Sequence, residues 1–231
     1  MKLQKLLADP IGVLKRRIRL LFQRLKYRSG RDYRSKDYWD ERHKTHGLEL
    51  TGVGDAGLST EENLKDYETA GKTLALLLDQ CSLDYSRISI LDIGCGNGYY
   101  AQLLKSKGAA NYRGIDISDV LFPELRAKSG FRFDRLDIGS DSLEDIYDLV
   151  LMIDVTQHIV FDDKFSFAMR NVREHLKPGG SFVVTSFLSE KKRHSFYEVS
   201  RPFELYWKEF PGFHFSNPLP FRDKFIFLIR K

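Results

Sequence analysis

The stretch Ile90-Leu91-Asp92-Ile93-Gly94-Cys95-Gly96-Asn97-Gly98-Tyr99-Tyr100 decides the fold of this chain. The residues that lead into the glycines are apolar and largely β-branched, which predicts a buried strand. Three glycines then alternate with other residues, and an amphipathic segment over residues 99–107 predicts a helix. A strand that turns through glycines into a helix lets the backbone approach a ligand, with helix N–H groups facing it. The stretch therefore predicts a site for a nucleotide-like cofactor.

The glycine spacing narrows the kind of cofactor. A dinucleotide-binding fingerprint needs its third glycine where this chain has Tyr99. The acidic Asp92 precedes the glycines, where a carboxylate would repel a pyrophosphate but attract a cationic amine or sulfonium. Asp92, Gly94, Gly96 and Gly98 are therefore predicted to bind a cofactor that carries such a cation. The alternative is a tight turn with a purely structural role.

This Asp-x-Gly-x-Gly-x-Gly pattern closely resembles the first motif of the class I S-adenosylmethionine-dependent methyltransferases. Further features of that family occur in order over residues 37–231, among them Leu176-Lys177-Pro178-Gly179-Gly180 ahead of an apolar strand. The resemblance implies a doubly wound α/β fold with a seven-stranded, mostly parallel sheet that ends in an antiparallel hairpin. It also implies S-adenosylmethionine as the cofactor and methyl transfer as the activity.

Acidic residues at the ends of the next predicted strands extend the cofactor site. Asp116 ends the second strand, about 20 residues after the glycines, and an acid there can accept both ribose hydroxyls. Ile117 is then expected to lie against the adenine. A third strand, residues 131–136, leads into Asp137 and Ile138, which are also assigned to the cofactor. In the resembled family an aspartate at this place takes the adenine amino group.

A short helix is predicted over residues 36–47, before a glycine. In the resembled family a Tyr-Trp helix in this place covers the cofactor and a nearby arginine meets its carboxylate, which makes Arg42 the candidate. Aromatic packing is an equal alternative for Tyr38 and Trp39. Residues 51–57 are rich in glycine but lack the Gly-Lys-Ser/Thr ending of a phosphate loop. They predict a mobile connection near the mouth of the site.

A fourth predicted strand, residues 146–153, leads into Asp154-Val155-Thr156-Gln157-His158-Ile159, where substrate and transferable methyl group should meet. The motif typical of nucleobase N-methylation, Asn/Asp-Pro-Pro-Tyr/Phe, does not occupy this position, which argues against that reaction. His158 can titrate near neutral pH and is the candidate general base, with a structural role in the loop as the alternative. Asp154 is assigned to the cofactor site. His43 is expected either to face the substrate or to lie on the surface.

Loops after the fourth and fifth strands usually select the substrate in the resembled family. Residues 191–201 predict a polar, basic loop of this kind, and His194, Tyr197 and Arg201 are its substrate-binding candidates. Solvated surface is the alternative for all three. The expected chemistry is in-line attack of a substrate oxygen or nitrogen on the sulfonium methyl group, accelerated mainly by alignment of the two reactants. The expected acceptor is a hydroxyl or amine of a small molecule, a glycan or a lipid-linked compound.

Charge divides the chain into two parts. Residues 1–36 contain twelve Lys/Arg and two acids, whereas the rest contains 25 basic and 30 acidic residues, so the net charge of +5 comes from the N-terminal arm. Apolar residues recur at helical spacing from Ile11 to Leu25, which predicts a basic amphipathic helix. Such a helix can lie on an anionic membrane surface or dock on a partner protein. It can also pack on the protein's own body, bind RNA or serve as a transit peptide.

Length and composition set the outer limits. A chain of 231 residues, 42% of them hydrophobic, suits one α/β domain with an appendage. The predicted division is a basic arm, residues 1–36, and a methyltransferase domain, residues 37–231. Two cysteines, Cys81 and Cys95, suggest neither a disulfide framework nor a zinc cluster, and no metal ligand is assigned.

These limits also bear on location and partners. A cytoplasmic protein is expected, with peripheral contact at the inner membrane surface as one role of the arm. Nucleic acid is not the expected partner. Two rival hypotheses stay open: an RNA or protein methyltransferase that uses the arm as an electrostatic clamp, and a non-catalytic, cofactor-binding scaffold subunit.

Overall fold

The computed structural model describes residues 10–30, 32–55 and 58–231. Residues 1–9 of the predicted arm, Arg31, and Ala56 and Gly57 of the predicted loop lie outside this part, as do the side chains at positions 10, 11, 13 and 15–17. The helices, in chain order, are α1 (Pro10–Lys26), α2 (Ser35–His46), α3 (Leu50–Val53), α4 (Thr60–Asp79), α5 (Tyr99–Ser106), α6 (Phe122–Ser129), α7 (Asp162–Glu174) and α8 (Phe203–Glu209). The strands are β1 (Arg28–Ser29), β2 (Asp32–Tyr33), β3 (Ser89–Ile93), β4 (Asn111–Asp116), β5 (Arg132–Arg135), β6 (Tyr147–Met152), β7 (Leu176–Ser186), β8 (Lys192–Ser195), β9 (Glu198–Ser200), β10 (His214–Phe215), β11 (Leu219–Phe221) and β12 (Lys224–Arg230).

One central sheet organises the fold. Its strand order is β10-β12-β7-β6-β3-β4-β5, and β11 also pairs with β12. The five strands from β7 to β5 are parallel to their neighbours, whereas β12 is antiparallel to β7. The predicted doubly wound, mostly parallel sheet is confirmed. The sheet has eight strands and not seven, because its edge is divided into β10 and β11 around Pro218, which has no N–H to continue the ladder.

Helices cover both faces of the sheet and bury two apolar layers. Strand β6 shows the alternation, since Leu149 and Leu151 belong to one layer and Val150 and Met152 to the other, all of them fully buried. Helices α4, α5 and α6 pack on the first layer, and α7 and α8 pack on the second. Parallel strands buried on both faces explain why the sequence shows near-continuous apolar runs at these places.

The start of α4 follows its sequence signature. Ser59 accepts a hydrogen bond from the Glu62 backbone N–H, and the Glu62 carboxylate accepts one from the Ser59 backbone N–H. This capping box satisfies two N–H groups that the helix leaves without partners.

The structure corrects two loop predictions. Residues 51–53 of the predicted mobile connection 51–57 belong to helix α3, whose Gly52 is buried and whose Thr51 carbonyl accepts a hydrogen bond from Arg42. Residues 191–201, predicted to be a polar loop, contain a β-hairpin, β8–β9, whose first strand is entirely polar and largely exposed.

The N-terminal segment is joined to the sheet domain by aromatic packing. Tyr27, Tyr33, Tyr38 and Phe196 are buried together and form the tyrosine cluster, with edge-to-face ring centroids 5.3 to 6.1 Å apart. Because Phe196 lies in the β8–β9 turn, the cluster bridges the predicted arm and the predicted domain. No helix within the described ranges is both long and apolar enough to cross a bilayer.

Candidate active site

A pocket opens beyond the carboxyl ends of β3, β4 and β6, where the strand order reverses. Doubly wound sheets bind their ligands at such a point. We call it the inner pocket. The structure brings together here eight of the residues predicted for the site: Gly94, Gly96, Asp116, Ile117, Asp137, Ile138, Asp154 and His158.

The glycine turn forms the floor of the inner pocket. Gly94 and Gly98 have φ angles of +72° and +77°. This is the left-handed region, which residues other than glycine adopt only at a cost in free energy. A Cβ atom on Gly94 would lie 2.2 Å from Val155, and one on Gly98 would lie 2.5 Å from Leu125. The two backbone N–H groups of residues 94 and 95 both donate to the Ile115 carbonyl, which ties the turn to β4.

Asp116 is held at the pocket wall by two backbone N–H groups. Gly96 donates to its Oδ2 and Ser118 to its Oδ1, each at 3.0 Å, so both oxygens keep lone pairs for a ligand. Burial raises the pKa of the Asp116 carboxyl, and the charge of neighbouring His43 opposes that rise. His43 is itself buried in the pocket wall, and burial lowers its pKa. The structure thus places His43 beside the predicted ribose-binding acid and not on the surface.

Asp92 lies beneath the glycine turn and is outside the lining of the inner pocket. Its carboxylate accepts a hydrogen bond from the Tyr112 hydroxyl at 2.6 Å, and the side chain is almost fully buried. Burial raises the pKa of Asp92 to about 7, against the hydrogen bond from Tyr112, which lowers it. Gly98 also falls outside the lining, and it serves as the left-handed cap of α5.

A wider cleft of about 740 Å³ adjoins the inner pocket. This outer cleft shares Trp39, Asp154 and His158 with the inner pocket, so the two meet at these side chains. Arg42 lines the outer cleft only, and its Nη2 donates to the carbonyls of Thr51 and Gly54. The structure therefore gives Arg42 the task of fixing α3 against α2, and does not place it at the predicted carboxylate-binding position.

His158 is oriented by its surroundings at the junction of the two cavities. Its Nδ1 lies 2.9 Å from the Tyr197 carbonyl oxygen, which can only accept, so Nδ1 carries the proton and Nε2 keeps its lone pair. The imidazole stacks on the Tyr197 ring and meets the Trp39 ring edge-on, with centroids 5.5 and 5.1 Å away. Burial lowers the pKa of His158 to about 4, so the ring is neutral at physiological pH.

The three predicted substrate residues have different positions. Tyr197 lines the outer cleft and stacks on Tyr38 as well as on His158. His194 is exposed on β8, with its ring 5.8 Å from that of Phe187, and it lines neither cavity. Arg201 is fully buried and donates to the carbonyls of Thr156 and Ile159. Arg201 therefore braces the 3-10 turn that carries His158, in place of the predicted contact with substrate.

Asp154 stands in an unusual conformation between the two cavities. Its φ angle is +61°, and its carboxylate forms ion pairs with Arg222 and with Lys224, the latter at 2.9 Å. All three side chains are largely buried, and Arg222 also lies over the Tyr67 ring. The two cations come from the β11–β12 hairpin, which thereby fixes the end of β6.

Sequence reasoning missed several lining residues. Lys164 of α7 and Asp32 of β2 line the inner pocket and form an ion pair of 2.9 Å. Arg222 and Lys224, which line the outer cleft, were also missed. Charged residues on elements far apart in sequence leave no local pattern, so no spacing signal could have found these four.

The residues present suit S-adenosylmethionine as the ligand of the inner pocket. Asp116 would hold the ribose hydroxyls through its free lone pairs, and the apolar Ile117 and Ile138 would enclose the adenine. Gly94 and Gly96 of the glycine turn contribute backbone without a side chain to the lining of this space. The junction at Asp154 and His158 would receive the methyl group. Fold and site together define a class I S-adenosylmethionine-dependent methyltransferase.

Comparison with known proteins identifies the family. The model of the methyltransferase domain family matches residues 64–216, and the chain belongs to this family. The predictions of family, fold class, enzyme class and cofactor are confirmed, and S-adenosylmethionine is the cofactor.

Individual relatives are more distant. The chain is 30% identical over 129 residues to the ubiquinone biosynthesis O-methyltransferase of Rickettsia prowazekii (strain Madrid E), a match that covers 54% of this chain and 50% of that protein. It is 32% identical over 167 residues to the malonyl-[acyl-carrier protein] O-methyltransferase of Acetivibrio thermocellus, covering 67% and 58%. The chain thus spans about half the length of the curated relatives it matches.

Among solved structures, magnesium protoporphyrin IX methyltransferase (ChlM) from Synechocystis PCC 6803 with bound SAM superposes with a TM-score of 0.65 at 16% identity. That match covers 85% of this chain and 95% of the other. At this identity the likeness is one of fold.

Proposed function

We propose that this protein is an O-methyltransferase that acts on a hydroxyl group of a small molecule, a glycan or a lipid-linked acceptor. The observation that carries the proposal is His158, a neutral imidazole whose Nε2 lone pair lies at the junction of the two cavities. A hydroxyl acceptor must lose its proton, whereas an amine can attack without help from a base. Both curated relatives described above are named O-methyltransferases, which supports the same choice.

S-adenosylmethionine supplies a methyl group on a sulfonium, whose carbon–sulfur electron pair leaves with the sulfur. The protein's own part is to align the acceptor and to take its proton. The acceptor oxygen lies in the outer cleft beside Nε2 of His158, and the proton passes to that nitrogen as the new carbon–oxygen bond forms. Although its low pKa makes His158 a weak base, a hydroxyl that is being methylated becomes strongly acidic, so the transfer is downhill.

Three residues keep the base in place. The Tyr197 carbonyl fixes the tautomer, Arg201 fixes the turn, and Trp39 with the Tyr197 ring limits the motion of the imidazole. Effective alignment of two reactants depends on such restraint. We assign to the basic arm, residues 1–36, the task of bringing the enzyme to its acceptor at a membrane surface or on a protein.

The test is methyl transfer to a panel of hydroxylated aromatics, glycans and lipid-linked compounds, with His158→Gln beside wild type. The substitution should lower kcat/KM by roughly 100-fold or more and leave cofactor affinity unchanged. His175→Gln is the matched control, because His175 has the same Nδ1 contact to a backbone carbonyl, at 2.7 Å, and lines neither cavity. Full turnover in His158→Gln would overturn the base assignment. Tight cofactor binding with no accepted hydroxyl in the panel would favour the scaffold hypothesis.

A further inference from the structure

Helix α1 presents an apolar face that no other described residue of the chain covers. Ten large hydrophobic side chains are exposed in the described part of the chain, and five of them lie on this one helix, with exposed fractions of 46 to 67%. Their spacing of three and four residues puts them on one side of the helix. We name this face the α1 stripe; its members are Leu14, Ile18, Leu21, Phe22 and Leu25.

The other side of α1 is attached to the domain. Arg19, Leu20 and Gln23 line the outer cleft, and Leu20 packs on the tyrosine cluster. Lys26, at the end of the helix, forms an ion pair with Glu41 of α2. The helix therefore has a face that walls the acceptor cleft and a separate apolar face that points away from it.

Charge selects the partner of the α1 stripe. The arm carries twelve basic and two acidic residues, and the remainder of the chain has an excess of acids. An anionic surface therefore attracts the arm and repels the body, which orients the protein. A second copy that covered the α1 stripe with its own α1 stripe would bring another basic arm and repel the first. Nucleic acid would pair with the charges but would gain nothing from exposed leucine and phenylalanine.

We propose that the α1 stripe inserts into the interface of an anionic phospholipid bilayer, so that the outer cleft opens at the membrane surface. A basic amphipathic helix with leucine and phenylalanine on its apolar face has the features of an interfacial helix. Exposed Arg19 and Arg24 can reach the lipid phosphates from its flanks. The inference rests on the proposed function for one point: an acceptor that reaches the cleft through this opening is an amphiphile, with a hydroxyl-bearing head group and a hydrocarbon tail.

The first test is sedimentation of the full chain with two kinds of vesicles, pure phosphatidylcholine and an equal mixture of phosphatidylcholine and phosphatidylglycerol. Wild type should bind the mixed vesicles about ten-fold more tightly than the neutral ones. The double variant Leu21→Asp, Phe22→Asp should lose this binding. Leu76→Asp is the matched control, because Leu76 is equally exposed, at 66%, but lies on α4. Circular dichroism and cofactor titration of every variant verify that the fold is retained.

Other results would overturn the inference. The inference is contradicted if wild type does not bind the mixed vesicles. It is also contradicted if the double variant binds them as well as Leu76→Asp does. Concentration-dependent dimers of wild type that the double variant abolishes would show that a second copy covers the α1 stripe.

A second test separates this inference from the proposed function. The probes are 3,4-dihydroxybenzoate in solution and its dodecyl ester in mixed vesicles. The double variant should methylate the soluble probe at the wild-type rate and the ester about ten-fold more slowly. If wild type binds the vesicles but methylates neither probe, the result contradicts the proposed function and not the membrane inference. Equal rates on the ester for wild type and the double variant would contradict the membrane inference alone.

Discussion

At the scale of single residues, the inner pocket depends on the carboxylate of Asp116. Replacement by asparagine keeps the shape but removes the charge and one strong acceptor, so the ribose hydroxyls lose charge-assisted hydrogen bonds. We expect Asp116→Asn to weaken the binding of S-adenosylmethionine by about ten-fold or more, equivalent to about 1.4 kcal/mol. Calorimetric titration measures this effect. Asp119→Asn, an exposed acid after the same strand, should bind like wild type; equal affinity in both variants would exclude Asp116 from the site.

Asp92 predicts a pH dependence of stability. Its folded-state pKa of about 7 lies above the ordinary value of 3.8, so the native state holds a proton that the unfolded chain has released. The stabilisation is complete at low pH and is lost as the pH rises towards 7. The Asp92→Asn variant has no carboxyl group at this position, so its stability does not fall with pH in this way. Relative to wild type, the variant should gain about 2–3 kcal/mol of unfolding free energy between pH 5 and pH 8.

Urea unfolding of the two proteins without cofactor measures this difference. Asp148→Asn is the control, because the ion pair with Lys177 helps hold the pKa of Asp148 below its usual range, outside this pH window. Its unfolding free energy should run parallel to that of wild type from pH 5 to pH 8. If the unfolding free energy of Asp92→Asn also runs parallel to that of wild type, the Asp92 carboxyl of wild type is ionised in the folded protein.

The same residues show how far single positions can be read from sequence. Asp116 and Asp137 were placed correctly in the pocket lining, because acids that follow parallel strands emerge at one edge of the sheet. Asp92 lies outside the pocket lining, and this could not be read from the sequence, since its partner Tyr112 becomes a neighbour only when β3 and β4 pair. Arg42 and Arg201 both donate to backbone carbonyls that lie near them only in the folded chain. Strand ends can be predicted from the sequence, whereas the directions of long side chains cannot.

At the scale of elements, the glycine turn between β3 and α5 makes a separate prediction. Gly94→Ala adds a methyl group both to a left-handed backbone and into contact with Val155. Gly108→Ala is the control, because it has a φ angle of +92° with open space around the position. The control should lose about 1 kcal/mol of stability from backbone strain alone. Gly94→Ala should lose about 1–3 kcal/mol more.

Thermal unfolding and cofactor titration distinguish the two glycine variants. Only Gly94→Ala should also weaken the binding of S-adenosylmethionine, because Val155 lines the inner pocket and must shift. Equal losses in the two variants would mean that Val155 moves aside freely.

Helices and strands could be predicted where burial imposes an apolar pattern on their sequence. The ends of β3, β4, β5 and β6 lie within one residue of the prediction, since strands buried on both faces need continuous apolar runs. Strand β7 begins at Leu176, earlier than predicted, and runs through the Leu-Lys-Pro-Gly-Gly segment. The β8–β9 hairpin was missed because its exposed strand has no apolar face to reveal it.

At the scale of the whole molecule, the N-terminal segment and the sheet domain build one site. Trp39 of α2 lines both cavities, whereas Trp207, the second of the two tryptophans, packs beside Phe203 and Phe215 and lines neither. In Trp207→Phe, addition of S-adenosylhomocysteine should therefore change the emission of Trp39. In Trp39→Phe the remaining emission should stay constant. A response only in Trp39→Phe would place the ligand away from α2.

The ion pairs of Asp154 have a consequence for the synthesis of the protein. Arg222 and Lys224 are translated long after Asp154, and a chain synthesised from its N-terminus folds its earlier part first. Until those cations arrive, the carboxylate at the end of β6 is not yet neutralised by Arg222 and Lys224, and the left-handed Asp154 has only earlier partners such as the Thr185 hydroxyl of β7, which accepts a hydrogen bond from its backbone N–H. The junction that we propose for methyl transfer is thus completed only when the β11–β12 hairpin has left the ribosome. We therefore expect ribosome-bound fragments that stop short of this hairpin to consume no cofactor.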